Sequence, residues 1–296
     1  MMAIVDAFIF LALAVAFVAA NGLLCHILAR VAATVNPHPS TAWYVPNLIG
    51  YARIAAIGVM IQRHAVGDAF GACVSYAVSA TLDGYDGYFA RKLGQCSKFG
   101  EALDVVADNA ARAALWALVA ALPHARAYAG LCALPVVLEH TCMACTHAPS
   151  YAAMTADVNW KDPAAPREPT PWLLRRIFAN GFKNPLGATA VGGLFFLPFL
   201  LYVHCAVALD PAAFPGNMLP AVFGANAGGL PASPADLARW AAALPASTRA
   251  LGAWLVAGRA LCASAELYLV GKHARALLAT DRADASRTEE EKKKAT

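Results

Sequence analysis

Apolar residues along this chain gather in long runs separated by short polar or Pro-rich connections, and the run lengths predict membrane-spanning helices. A helix of about 20 apolar residues crosses a bilayer, and seven segments approach or exceed that length: approximately 4–30, 47–64, 69–90, 101–122, 127–147, 184–208 and 250–271. The first is too long for the core of a signal peptide and lacks a convincing small-residue cleavage site, so it reads as a membrane helix. Between the runs, residues 34–45 (TVNPHPSTAWYV) form a Pro-broken linker ending in Trp43 and Tyr44, which suit a membrane interface. Residues 148–183 turn to Pro and charge, with WLLRRIF reading as a short amphipathic surface helix. Residues 209–247 are rich in Pro, Gly and Ala and read as an extracytoplasmic loop with one short helix from Pro234 to Leu244. The predicted fold class is all-α, a polytopic membrane helical bundle.

Composition agrees. Hydrophobic residues fill 59% of the 296 positions and charged ones 14%, against about 25% in an average soluble domain. The net charge of +4 matters less than its placement. Arg30; Arg91, Lys92 and Lys98; Lys161, Arg167, Arg175 and Arg176; and the tail from Lys272 onward fall on alternate connections, which marks their common face as cytoplasmic. Seven spans then leave the amino terminus outside the cytosol and the carboxyl terminus within it. Only scattered basic residues, such as Arg63, Arg126 and Arg239, fall on the other face. The eight cysteines show no secreted disulfide pattern; Cys25, Cys73, Cys132, Cys205 and Cys262 lie in apolar runs as small hydrophobes. A membrane protein of this kind is expected to meet lipids and no nucleic acid.

The departure from this pattern is DGYDGYFARKLGQCSKFGEALDVVAD, from Asp83 to Asp108, which sets four carboxylates among apolar residues. On a helix Asp83, Asp86, Gly87 and Ala90 share a face, with Arg91 round its edge; Gly100, Asp104 and Asp108 stand at successive fours on the next helix. Carboxylates converging from two helices at low dielectric repel one another unless a cation sits between them. An all-oxygen donor set favours Mg²⁺ or Mn²⁺ over zinc. Gly87, Ala90 and Gly100 leave the helix surfaces bare, so a bulky ligand such as a nucleotide could lie against backbone. A solvated acidic loop, the competing reading, lacks such ordered spacing.

Other candidates are more diffuse. The run 47–64 carries Asn47 and Arg53 near its cytoplasmic end, and an ionisable residue within a span is expected to face a cavity, here the chamber of the aspartates; snorkelling to lipid phosphate is the alternative. LEHTCMACTHA, with Glu139, His140, Cys142, Cys145 and His147, has ligand-like spacing. It lacks a second C-x2-C half, and a helix would spread these residues round its cylinder, so a polar helix end at the cytoplasmic mouth is the better reading. Lys161, Arg176 and Lys183 fit phosphate contacts at a cavity edge and simple positive-inside retention equally.

The pattern D83-x2-D86-G87-x2-A90-R91-x8-G100-x3-D104-x3-D108 resembles the complete signature of the CDP-alcohol phosphotransferase family. VPNLIGYARI at 45–54, the LGQ and SKFG runs after Arg91 and the basic tail resemble its eukaryotic inositol-using branch. The resemblance covers roughly 45–208 and 250–294. It implies a six-helix core over 45–272 with a loop insertion at about 209–247, an extra N-terminal membrane helix and linker at 1–44, and a basic cytosolic tail at 273–296. It further implies a homodimer, two divalent ions on Asp83, Asp86, Asp104 and Asp108, and Asp108 as the base. Gly87, Arg91 and Ser97 would contact the CDP-lipid, in a site to which Asn47, Ala90 and Gly100 are also assigned. The expected substrates are CDP-diacylglycerol and myo-inositol, with His140 or His147 in acceptor binding. Glycerol phosphate, inositol phosphate or serine are alternative acceptors. A cation transporter or channel is a more distant alternative, since it would set the aspartates near the bilayer midplane rather than beside the basic Arg91–Lys98 connection. Lys293 and Lys294 resemble a dilysine retrieval signal of the endoplasmic reticulum, with attraction of a basic tail to anionic lipid as the plainer reading.

Overall fold

Each of the seven apolar runs falls on a helix in the computed structural model, which describes residues 2–35, 40–147, 170–214, 230–231, 233 and 236–295. In chain order the described helices are α1 (Met2–Val35), α2 (Val45–Ala65), α3 (Ala69–Lys92), α4 (Lys98–Ala121), α5 (Ala129–His147), α6 (Trp172–Phe178), α7 (Pro185–Leu209), α8 (Leu237–Ala243) and α9 (Ala246–Ala295), with α6 and α8 lying between the apolar runs. Among the described residues there is no strand. The protein is an all-α polytopic membrane protein. Val45–Ala65, Pro123–Thr146, Pro185–Leu209 and Ala246–Arg282 are long and apolar enough to cross a membrane, and Val15–Val31 is a shorter apolar stretch. The expected surface helix WLLRRIF is α6, with Leu174 and Ile177 buried and Arg175 and Arg176 exposed. Within the Pro- and Gly-rich loop the expected short helix is α8. The carboxyl-terminal helix runs well past residue 271, carrying the charged tail as helix.

Local chemistry sets the helix ends around the acidic stretch. Pro46 opens α2, where a missing N–H costs nothing. Asp68 caps α3 by accepting from Gly71 N at 2.7 Å, and Ser97 caps α4 by accepting from Gly100 N at 3.0 Å. The end of α3 is a Schellman turn: Gly94 adopts φ +63°, Gln95 N donates to Ala90 O at 2.9 Å and Gly94 N to Arg91 O at 3.4 Å. Glycine takes this left-handed conformation without the strain of a Cβ. The Gln95 side chain then accepts from Val45 N at 2.9 Å, tying the α3–α4 connection to the start of α2.

The chain forms two compact units, Met1–Cys132 with Pro198–Arg249, and Ala133–Leu197 with Ala250–Thr296. In the first, α2 packs along α3 and α4, while α1 packs against α3 and α2. Cys25 and Ala29 of α1, Val45 and Ile49 of α2, and Leu82 and Phe89 of α3 share one apolar cluster. Tyr85 Oη donates to Val18 O at 2.8 Å, and Gly22 sits so close that a Cβ there would lie 2.5 Å from the same hydroxyl. The C-terminal part of α7 joins this unit through Tyr76 stacked on Phe199 at 5.3 Å and His64 Nδ1 3.0 Å from Tyr202 Oη.

In the second unit α7 and α9 meet backbone to backbone. A Cβ on Gly258 would lie 2.1 Å from Thr189 O, and one on Gly193 would lie 2.1 Å from Arg259 N. Small residues at such crossings let membrane helices approach closely. Arg259 also reaches Glu266 Oε2 at 2.9 Å and Glu139 Oε1 at 3.4 Å, all three side chains being buried.

Candidate metal centre

The four aspartates converge, and Arg53 lies among them. Asp83 and Asp86 come from α3, Asp104 and Asp108 from α4, and the two helices are joined by the short capped connection described above. From α2, Arg53 Nη1 contacts Asp86 Oδ2 at 2.7 Å and Asp104 Oδ1 at 2.6 Å, while Nη2 contacts Asp83 Oδ1 at 2.8 Å and also Asp108 Oδ1. The Arg53 side chain is 2% exposed, whereas those of Asp83 and Asp104 are 43% and 47% exposed. The cluster is thus closed by α2 on one side and open on the other. Arg53 faces the aspartates as expected, and the snorkelling alternative is not what the side chain does.

One guanidinium against four carboxylates leaves an excess of negative charge. Arg112, one turn beyond Asp108 on α4, places Nη1 3.6 Å from Asp108 Oδ2 and donates through Nη2 to Asn109 Oδ1 at 2.8 Å. Sequence reasoning missed Arg112; its signal was an arginine four positions after a motif aspartate in an otherwise apolar run. The donor set fits a divalent cation: Asp83, Asp104 and Asp108 each offer an oxygen, all within 4.8 Å of one another. A cationic group already sits on those oxygens, which is direct evidence that the arrangement attracts positive charge. Hard oxygen donors of this kind suit Mg²⁺ or Mn²⁺.

The small residues divide into two kinds. At Gly87 an added Cβ would meet only the Arg91 guanidinium, at 3.4 Å, so exposed Arg91 lies over a bare patch of α3. At Gly100 the bare surface is taken up by protein: a Cβ there would lie 2.8 Å from Asn47 Oδ1 and 3.2 Å from Ser97 Oγ. Asn47 is buried and donates through Nδ2 to Thr41 O at 2.5 Å. Asn47, Ser97 and Gly100 therefore form one packed corner where α2 meets the start of α4. Ala90 is half-buried on α3.

The remaining candidates belong to the second unit or lie outside the described residues. His140 Nδ1 bonds its own helix at Val136 O, 2.8 Å away. Arg176 and Lys183 are exposed in that unit. Lys161 lies outside the described residues, as does the side chain of His147.

Residues 43–172 match the family model for CDP-alcohol phosphatidyltransferase. Among curated proteins named CDP-diacylglycerol–inositol 3-phosphatidyltransferase, that of Candida albicans is 43% identical over 75 residues, 24% of this chain and 31% of the relative. That of Schizosaccharomyces pombe is 34% identical over 128 residues, 41% of this chain and 53% of the relative. The Homo sapiens protein is 37% identical over 73 residues, 25% of this chain and 34% of the relative. The chain thus spans between a third and a half of the length of these relatives. No solved structure matches significantly. Residues 43–172, which hold the whole acidic cluster and Arg53, are therefore similar to the CDP-alcohol phosphatidyltransferase family and, within it, to proteins named for transfer to inositol.

Proposed function

We propose that this protein transfers the phosphatidyl group of CDP-diacylglycerol to myo-inositol, giving phosphatidylinositol and CMP. The observation that carries this reading is the convergence of Asp83, Asp86, Asp104 and Asp108, from two helices, on a single cationic centre. Those four residues would hold two divalent ions, whose chemistry is to neutralise the donor diphosphate and the charge that develops on departing CMP.

The chain's own groups do the rest. Arg91, exposed above Gly87, meets the donor diphosphate, and the bare surface of Gly87 and Ala90 leaves room for the cytidine. Ser97, Asn47 and Gly100 fix the start of α4 and so the height at which Asp104 and Asp108 stand. An inositol hydroxyl attacks the phosphatidyl phosphorus in line; the new P–O bond forms as the bond to the CMP oxygen breaks, and the hydroxyl proton passes to Asp108. Arg112, one turn beyond Asp108 on the same helix, holds its carboxylate in place for that transfer. Inositol is neutral, so its recognition needs hydrogen-bonding groups rather than a cationic pocket.

The basic connections favour a site at the cytosolic border of the membrane. A homodimer is inferred from the family resemblance. The test is acceptor choice: purified protein in nanodiscs, given CDP-diacylglycerol with Mg²⁺ or Mn²⁺, should form labelled lipid from radiolabelled myo-inositol and not from glycerol 3-phosphate, serine or inositol phosphate. Lipid product from one of the others alone would reassign the acceptor. Cation flux in liposomes with no lipid product would replace the enzyme reading by a channel.

A further inference from the structure

We propose that Arg53 is an exchangeable internal counter-ion: its guanidinium holds the seat of the divalent ion among Asp83, Asp86, Asp104 and Asp108, and ion and guanidinium displace one another. The inference rests on the metal-dependent reading above and adds a role for Arg53 that the ligand set alone does not require. Its two terminal nitrogens share out the four carboxylates, Nη1 taking Asp86 and Asp104 and Nη2 taking Asp83 and Asp108. Asp83, Asp104 and Asp108, the three acids that could share an ion, are all among Arg53's contacts. Two positive charges drawn to one set of carboxylates repel one another, so each weakens the other's hold.

The seat is also an imperfect one for arginine. Arg53 Nε is buried and has no hydrogen-bond partner, an arrangement that carries a desolvation cost with no compensating bond. All pairing is made through the end of the side chain, so rotation of the last torsions frees all four acids at once. Asp83 and Asp104 are open on the side away from α2, which gives an incoming ion access without passing Arg53. A guanidinium that merely braced the ligands would support ion binding. One that competes for the same oxygens opposes it, and the two cases differ in sign.

The experiment is a Mn²⁺ titration of the full-length chelator-treated protein in nanodiscs, followed by the electron paramagnetic resonance signal of free Mn²⁺, together with thermal unfolding with and without the ion. For R53Q the expected result is Mn²⁺ binding about tenfold tighter than wild type, since a competing charge has gone. The unfolding temperature in chelator should fall, and its rise on adding Mn²⁺ should exceed that of wild type. R53K, whose single ammonium cannot share out four carboxylates, should bind several-fold tighter than wild type and keeps the proposal testable should R53Q fail to fold. Equal or weaker Mn²⁺ binding in the folded variants, with wild type binding normally, overturns the exchange role and leaves the metal site standing. Wild type that binds no Mn²⁺, and is indistinguishable from D83N, overturns the metal reading itself.

Discussion

The carboxylate of Asp108 is shared between two arginines from different helices, with Oδ1 on Arg53 of α2 and Oδ2 3.6 Å from Nη1 of Arg112 on its own α4. Among the described residues, Asp83, Asp86 and Asp104 each pair with Arg53 and with no second arginine. Arg112, which shares α4 with Asp108, keeps its hold on this carboxylate whether or not Arg53 is displaced, and a fixed orientation is what a group accepting a proton from a bound hydroxyl requires. Asp108→Asn keeps the shape and removes the proton acceptor. Turnover should fall by about 100- to 10,000-fold, while CDP-diacylglycerol binding, measured by isothermal titration, changes little; a variant that turns over normally would remove Asp108 from the role.

Asp83 offers a contrast. It is more exposed than Asp108 and pairs only with Arg53 among the ion pairs described. For Asp83→Asn the Mn²⁺ concentration giving half-maximal activity should rise by about tenfold or more, with donor binding weakened in parallel. An unchanged metal dependence would take Asp83 out of the ligand set.

Two glycines of the acidic stretch should respond differently to a methyl group. A Cβ on Gly84 meets nothing within 4 Å, whereas one on Gly100 meets buried Asn47 at 2.8 Å. Gly100→Ala is therefore expected to cost about 1–3 kcal/mol through the displaced Asn47, and Gly84→Ala to be neutral or slightly stabilising. Thermal unfolding in detergent reads both; equal effects would mean that Gly100 is not a packing position.

The crossing of α7 and α9 gives a sharper pair. Gly258 abuts the carbonyl of Thr189, a backbone atom that cannot turn aside, while Gly252 has open space around it. Gly258→Val should lower stability by about 3 kcal/mol, and Gly252→Ala should stay within about 0.5 kcal/mol of wild type. Comparable unfolding temperatures for the two would argue against a close crossing at Gly258.

Much of this site was legible in the sequence because it depends on spacing within single helices. Four aspartates at threes and fours, with small residues between them, specify two helix faces before any fold is known. Arg53 was legible as a charge that could not face lipid, though not as the group gripping all four acids, since that depends on how α2 settles against α3 and α4. The same limit applies to Gly100. Its bare surface reads as room for a ligand, but the room is filled by Asn47, more than fifty positions earlier. Gln95 bonding Val45 and Arg259 bonding Glu139 are likewise long-range pairings with no periodic signal. Arg112 differs, because its four-residue offset from Asp108 was readable all along.

The wedge formed by Tyr85 between Val18 and Gly22 has a consequence for truncation. Tyr85 lies between Asp83 and Asp86 in sequence, so the helix bearing half of the acids is gripped by α1, which supplies none of them. A protein trimmed to start near residue 40 would keep all four clustered aspartates and lose the wall against which that helix is held. The stretch of α1 from Val18 to Ala29 is thus part of the site's scaffolding.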